Sequence, residues 1–271
     1  MSIFTTSRNH RIHYIDKGKG EPVVLVHGWS GSTANFVFLK KDLLEAGYRV
    51  IAMDHIGHGE SQIPDTLPLI ENLADDLHEL LESLHLESFT LLGYSMGVYV
   101  SFEYLLKYAP SNIKHLILVD MTPRLVADKE AKTGLYHAGV TKEDVPVFLK
   151  EMREDFKKWW FGFFEKVSLL RMTPETEEMA MEALGDYNLD VLVTLFNDMF
   201  TKDYRGKLDN ITVPATLIYA DPGSLYSIHD AKAMKEALPQ LELVPVKNST
   251  HLLVITHPVD FNQAVFRILE K

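Results

Sequence analysis

Phe89-Thr90-Leu91-Leu92-Gly93-Tyr94-Ser95-Met96-Gly97-Val98-Tyr99 is the stretch whose reading decides the fold. Phe89–Leu92 is a short apolar run of strand type, and Val98–Tyr108 has the composition of a helix. Between them stands G-x-S-x-G, Gly93 to Gly97, with Ser95 at its centre. A serine on so sharp a strand-to-helix turn has strained backbone angles, and flanking glycines relieve the crowding. The turn lifts Oγ above the sheet edge, and the helix N-terminus aims N–H groups at any oxyanion formed there. The bland alternative is a glycine-rich turn with an incidental serine. The strand before it and the helix after it argue for a nucleophile.

Moving outward, further apolar blocks recur at Val23–Val26, Val50–Met53, Leu116–Val119, Thr216–Ala220 and Leu241–Val246. Each is continuous and not alternating, as expected of strands buried on both faces of a parallel sheet. Helix-like segments separate them. Leu69–Leu84 places Leu73, Leu77, Leu80, Leu81 and Leu84 at helical spacing, with carboxylates opposite. The expected fold is therefore α/β, a three-layer, mostly parallel sheet with helices on both faces.

The rhythm breaks between Pro123 and Asp209, a segment without strand-like blocks and rich in Phe, Trp and Met. This predicts one α/β domain in two parts, residues 1–122 and 209–271, with a helical cap or lid inserted at 123–208. There is no internal repeat. At 271 residues, one domain with an insertion fits the length.

The turn after Val23–Val26 reads His27-Gly28-Trp29-Ser30-Gly31. An HG-type loop in this place supplies a second oxyanion donor, so the backbone N–H of Trp29 is expected to pair with that of Met96. Each well-placed donor is worth about 3 kcal/mol to a tetrahedral intermediate. The His27 side chain is read as a brace for this loop. Together, His27-Gly28, Asp54–Ser61, Gly93–Gly97 and Ser249-Thr250-His251 resemble, in order and spacing, the α/β-hydrolase superfamily. The resemblance spans nearly the whole chain, with the middle insertion matching the family's variable cap. Asp54–Ser61 is similar to the family's D-x-R-G-x-G-x-S turn, with His55-Ile56 near the usual Arg, and reads as a structural turn beside the site.

The resemblance makes His251, after Leu241–Val246 and before a last helix from Pro258, the base. Thr250 stands where the family often has glycine. The acid follows the serine and precedes the histidine in chain order. Its usual place is after Thr216–Ala220, where the sequence reads Ala220-Asp221-Pro222-Gly223 and Gly223 takes the acid's position. The alternative is Asp120, opening Asp120-Met121-Thr122-Pro123 at the end of the earlier strand, where some members of the superfamily carry it. Asp120 is preferred, with Asp221 left open. By itself, Asp120 also fits a plain capping residue.

A serine at position 95, and not an aspartate, argues against epoxide or haloalkane hydrolysis and suits attack on a carbonyl. The expectation is a carboxylesterase-like serine hydrolase. It would cleave a small, largely apolar ester, thioester or lactone through an acyl-enzyme on Ser95. Tyr94, Trp159, Trp160 and Phe163 are candidate pocket residues, since Trp159-Trp160-Phe161 cannot all face one side of a helix. Lys157-Lys158 reads as a solvated edge. Two alternatives remain: a cofactor-independent dioxygenase using the His/Asp pair as base, and a triad-retaining ligand receptor.

The formal charge of −11, from 27 Lys and Arg against 38 Asp and Glu, argues against nucleic-acid binding. With no Cys there are no disulfides, thiolate metal sites or cysteine nucleophiles. His55 with His58, or His78 with Glu82, lacks a third ligand at metal spacing, so neither metal nor cofactor is expected. Met1 to His13 has no apolar signal core, and no run reaches the length of a membrane span. A cytoplasmic monomer or homodimer acting on a small molecule is the expectation.

Overall fold

A computed structural model describes residues 2–127 and 133–271. Residues 128–132, within the expected cap, and Met1 lie outside the described residues. Eight strands form one sheet: β1 (Ser2–Thr5), β2 (Arg11–Lys17), β3 (Pro22–Val26), β4 (Arg49–Met53), β5 (Phe89–Tyr94), β6 (Ile113–Val119), β7 (Ala215–Pro222) and β8 (Glu242–Ser249). Their order is β1-β2-β4-β3-β5-β6-β7-β8. β1 pairs antiparallel with β2, and β2 with β4; the remaining pairs are parallel.

The helices before the insertion are α1 (Val37–Glu45), α2 (Ile70–Ser83) and α3 (Met96–Tyr108). Between β6 and β7 come the single turn α4 (Leu135–Ala138), α5 (Val145–Glu154), α6 (Phe156–Ser168), α7 (Pro174–Leu184) and α8 (Leu189–Thr201). After β7 follow α9 (Ile228–Ala237), the turn α10 (Leu253–Thr256) and α11 (Pro258–Leu269).

Side chains alternate across a strand, and here both sets are buried. Val23 and Leu25 of β3 join Leu39, Leu43, Phe261 and Val265 in a core formed with α1 and α11. Val24 and Val26 join Leu73, Leu77, Val98 and Phe102 in the opposite core, formed with α2 and α3. A strand covered on both faces must be apolar throughout, and all six residues of β5 are buried.

Two strands depart from that pattern. β8 lies at the sheet edge and is largely exposed or half-buried along its length, so Leu241–Val246 is not a doubly buried block. β1 and β2 were not legible as strands; they mix Ser, Thr, His, Asp and Lys with apolar residues and form the opposite, antiparallel edge. α3 begins at Met96, two residues before the expected Val98, because the helix starts on the nucleophile turn itself.

The segment between β6 and β7 is helical, with only the isolated bridges Arg124–Asp203 and Ala127–Thr141 among the described residues. Local chemistry sets its helix starts. The Asp155 side chain accepts from the Lys158 N–H to open α6, and Asn188 accepts from the Val191 N–H to open α8. An Asp198 carboxylate oxygen of α8 accepts from the Ile70 N–H at 2.8 Å, tying this layer to the start of α2.

Candidate active site

β3, β5, β6, β7 and β8 run parallel, so their carboxyl ends meet at one edge and bring together loops distant in sequence. Ser95 stands between β5 and α3 with φ 54° and ψ −120°, the strained geometry of a serine turned out of a sheet. The turn demands close approach of β3 and α3. A Cβ on Gly97 would overlap the Val26 carbonyl, and one on Gly28 would lie 2.9 Å from Cβ of Ser95.

His251 follows β8. Its Nε2 lies 3.0 Å from Ser95 Oγ, and its Nδ1 lies 2.7 Å from Oδ2 of Asp120. The tautomer with its proton on Nδ1 donates to Asp120 and leaves Nε2 to accept from the serine hydroxyl. Asp120 is 1 % exposed and His251 5 %. The other Asp120 oxygen accepts from the Ala220 N–H at 2.9 Å, which locks the carboxylate between β6 and β7. Asp120 itself sits at φ 44°. Asp221 does not approach His251: its carboxylate pairs with Lys247 at the sheet edge.

The backbone of the histidine is also held. The Tyr94 hydroxyl donates to its carbonyl at 2.8 Å, and its N–H donates to Ser224 Oγ at 2.9 Å. Burial, then the charge of Asp120, pushes the Tyr94 phenol well above its usual range, so the hydroxyl stays a donor. Ser224-Leu225-Tyr226, following Asp120-Met121-Thr122-Pro123, resembles the branch of the superfamily that carries its acid on the earlier strand, but no role at the site for the Ser224 hydroxyl followed from that. The available signal was a hydroxyl in the loop where the resemblance would have placed an acid.

His27 braces the loop after β3. Its Nδ1 lies 2.8 Å from the Gly28 carbonyl, and its Nε2 accepts from the His55 N–H at 3.0 Å. Its ring sits 4.3 Å from His55 and 5.4 Å from His58. Burial lowers all three imidazoles, and His58 falls to about 3. Asp54 anchors the adjacent turn, accepting from the Thr33 N–H at 2.6 Å and the Glu60 N–H at 3.0 Å, with His13 Nδ1 at 2.7 Å. The His78 ring stacks on Tyr108 at 3.6 Å. Among the described residues, no group of three or more His, Asp or Glu is placed to hold a metal ion. No helix among them is long and apolar enough to cross a membrane.

Trp29 joins this loop to the helices above it. Its indole N–H donates to the Leu192 carbonyl of α8 at 2.8 Å, and its ring lies edge-on to Phe163 and Phe196. A cavity of about 400 Å³ opens above Ser95 and His251. Tyr94, Trp160 and Phe163 line it, with Leu125, Phe164 and Val167. Trp159 does not. Trp160, Phe163, Phe164 and Val167 recur at i, i+3, i+4 and i+7 on one face of α6, and Trp159 lies off that face. It stacks on the far side of Phe163 at 5.2 Å and walls a neighbouring cavity.

The family model described as alpha/beta hydrolase fold matches residues 21–258. An esterase from Exiguobacterium antarcticum superposes with a TM-score of 0.90 at 25% identity, covering 100% of this chain and 99% of that one. A bromoperoxidase from Bacillus anthracis gives a TM-score of 0.86 at 26% identity over 100% of both chains. Lipase 1 of Psychrobacter immobilis is 26% identical over 265 residues, covering 93% of this chain and 78% of the lipase. This protein belongs to the α/β-hydrolase fold family, and its relatives include esterases and lipases.

Proposed function

We propose that this protein is a serine hydrolase that cleaves a small, largely apolar ester through an acyl-enzyme on Ser95. One observation carries the reading. Ser95 Oγ, His251 and Asp120 form a continuous hydrogen-bonded chain at the floor of an apolar cavity. The volume of about 400 Å³ lies toward the small end of small-molecule sites.

The chemistry follows from the donors and acceptors. As Oγ attacks the ester carbonyl carbon, its proton passes to Nε2 of His251. The carbonyl oxygen becomes an oxyanion, held by the backbone N–H groups of Trp29 and Met96. Asp120 stays ionised, fixing the imidazole and stabilising its charged form. Collapse of the intermediate breaks the bond to the alcohol oxygen, and the Nε2 proton goes to that leaving group. Water then gives a proton to Nε2 and attacks the acyl carbon, and the acid departs as Ser95 Oγ recovers the proton. α5 to α8 act as the lid that keeps bulk water from the acyl-enzyme.

The test is hydrolysis of p-nitrophenyl acetate, butyrate and octanoate by the wild type and Ser95→Ala. Turnover lost with the serine supports the reading. Turnover that survives Ser95→Ala, or none in the wild type, overturns it.

A further inference from the structure

Besides the bond to Ser95, three contacts fix His251, and they lead to different parts of the molecule. Asp120 holds its imidazole and Tyr94 its carbonyl, and both belong to the ends of sheet strands. The third contact leaves the sheet. Ser224, 7 % exposed in the loop between β7 and α9, accepts from the His251 N–H at 2.9 Å. The same hydroxyl donates to the Val167 carbonyl at 2.8 Å. Val167 lies in the last turn of α6, where carbonyls lack a partner within the helix. Its side chain lines the cavity above Ser95. A single hydroxyl therefore bridges the backbone of the base and the helix that walls the cavity.

The loop carrying Ser224 is held on its other side too. His137 Nε2 lies 3.1 Å from the Ser224 carbonyl, and the His137 N–H donates to the Leu225 carbonyl at 3.0 Å. A shift of the last turn of α6 consequently reaches His251 through a short, braced path. The path runs between two well-formed hydrogen bonds and crosses no solvent.

We propose that Ser224 is a positioning residue that couples occupancy of the cavity wall at Val167 to the placement of His251. This rests on the ester-hydrolase reading. A chain long enough to press on Val167 settles the end of α6, and Ser224 passes that ordering to the base. A chain too short to reach Val167 gains nothing from the bridge. The hydroxyl thus makes turnover, and not only binding, depend on acyl length.

The experiment compares kcat and KM for p-nitrophenyl acetate and octanoate in the wild type, Ser224→Ala, Ser224→Thr and Val167→Ala. Ser224→Ala is expected to lower kcat for octanoate roughly tenfold, the effect of one mispositioned hydrogen bond, and to change acetate far less. Ser224→Thr, which keeps the hydroxyl, restores the octanoate rate. Val167→Ala keeps the carbonyl tether but removes the substrate-facing side chain, so it lowers the octanoate-to-acetate kcat ratio on its own, even if Ser224→Ala does not fold. Equal loss on both esters, or an unchanged ratio in Ser224→Ala and Val167→Ala, overturns the coupling. A wild type without serine-dependent turnover of either ester would instead remove the hydrolase reading beneath it.

Discussion

Nδ1 of His251 lies 2.7 Å from Asp120, a carboxylate 131 positions earlier in the chain, while Asp221, only 30 positions before the histidine, pairs with Lys247. Replacing Asp120 by Asn removes the charge that fixes the imidazole tautomer. The Asp120→Asn variant is expected to lose kcat by a factor on the order of 10³ to 10⁴ with little change in KM. Asp221→Asn should retain its rate. Steady-state kinetics on p-nitrophenyl butyrate separates the two, and a larger loss from the Asp221 change assigns the acid to β7.

The Trp29→Phe variant keeps the backbone N–H and most of the ring surface but deletes the indole donor that ties the loop after β3 to the Leu192 carbonyl of α8. Unfolding free energy should fall by about 0.5–1.5 kcal/mol, and kcat/KM should fall with it as the loop after β3 loosens from α8. Urea unfolding and ester kinetics read both effects. A variant as stable and as active as the wild type would show that this bond anchors nothing.

Two glycines provide a matched contrast. A Cβ at Gly97 would run into the Val26 carbonyl, so Gly97→Ala should destabilise by about 1–3 kcal/mol or more and distort the serine turn. At Gly162, inside α6, an added Cβ meets nothing within 4 Å, and Gly162→Ala should stabilise by about 0.4–1 kcal/mol. Thermal melts of the two variants should shift in opposite directions; shifts of the same sign would contradict the packing at one of them.

The buried histidines make stability depend on acidity. His58 takes up a proton only near pH 3 when folded, against about 6.5 when unfolded. Between those values the unfolded chain binds the extra proton, so stability declines as pH falls through this window and is unaffected by this group above it. At pH 5, His58 alone accounts for about 2 kcal/mol of that loss. The urea midpoint should drop from pH 7 to pH 5, and His58→Asn should reduce the drop. A variant with the wild-type pH dependence would exclude His58 as a source.

Much of this architecture is legible in the chain because strands covered on both faces must be apolar at every position. That is why Val23–Val26 and Phe89–Leu92 stand out. β1 and β2 do not, since an antiparallel edge exposes part of each strand and admits Arg11 and Lys17, while the buried His13 is accommodated by its bond to Asp54. The serine turn is legible because its glycines are demanded by backbone contacts. Which aspartate reaches His251 was not decidable from spacing. β6 and β7 end side by side, and the outcome depends on the backbone angle of Asp120 and its bond to the Ala220 N–H. Trp159 and Trp160 look equivalent in sequence, yet adjacent helical positions lie about 100° apart, and only Trp160 faces the cavity. The bridging role of Ser224 was not legible for a related reason: its partners are backbone groups, which carry no sequence signature.

Every catalytic step proposed above runs through Ser95 Oγ. The most direct measurement is therefore intact-mass and peptide mapping after reaction with an alkyl fluorophosphonate, alongside residual esterase activity. One adduct per chain, on Ser95, formed in proportion to the activity lost, is the predicted result. An adduct on another residue, or full labelling of Ser95 with ester hydrolysis undiminished, would contradict it.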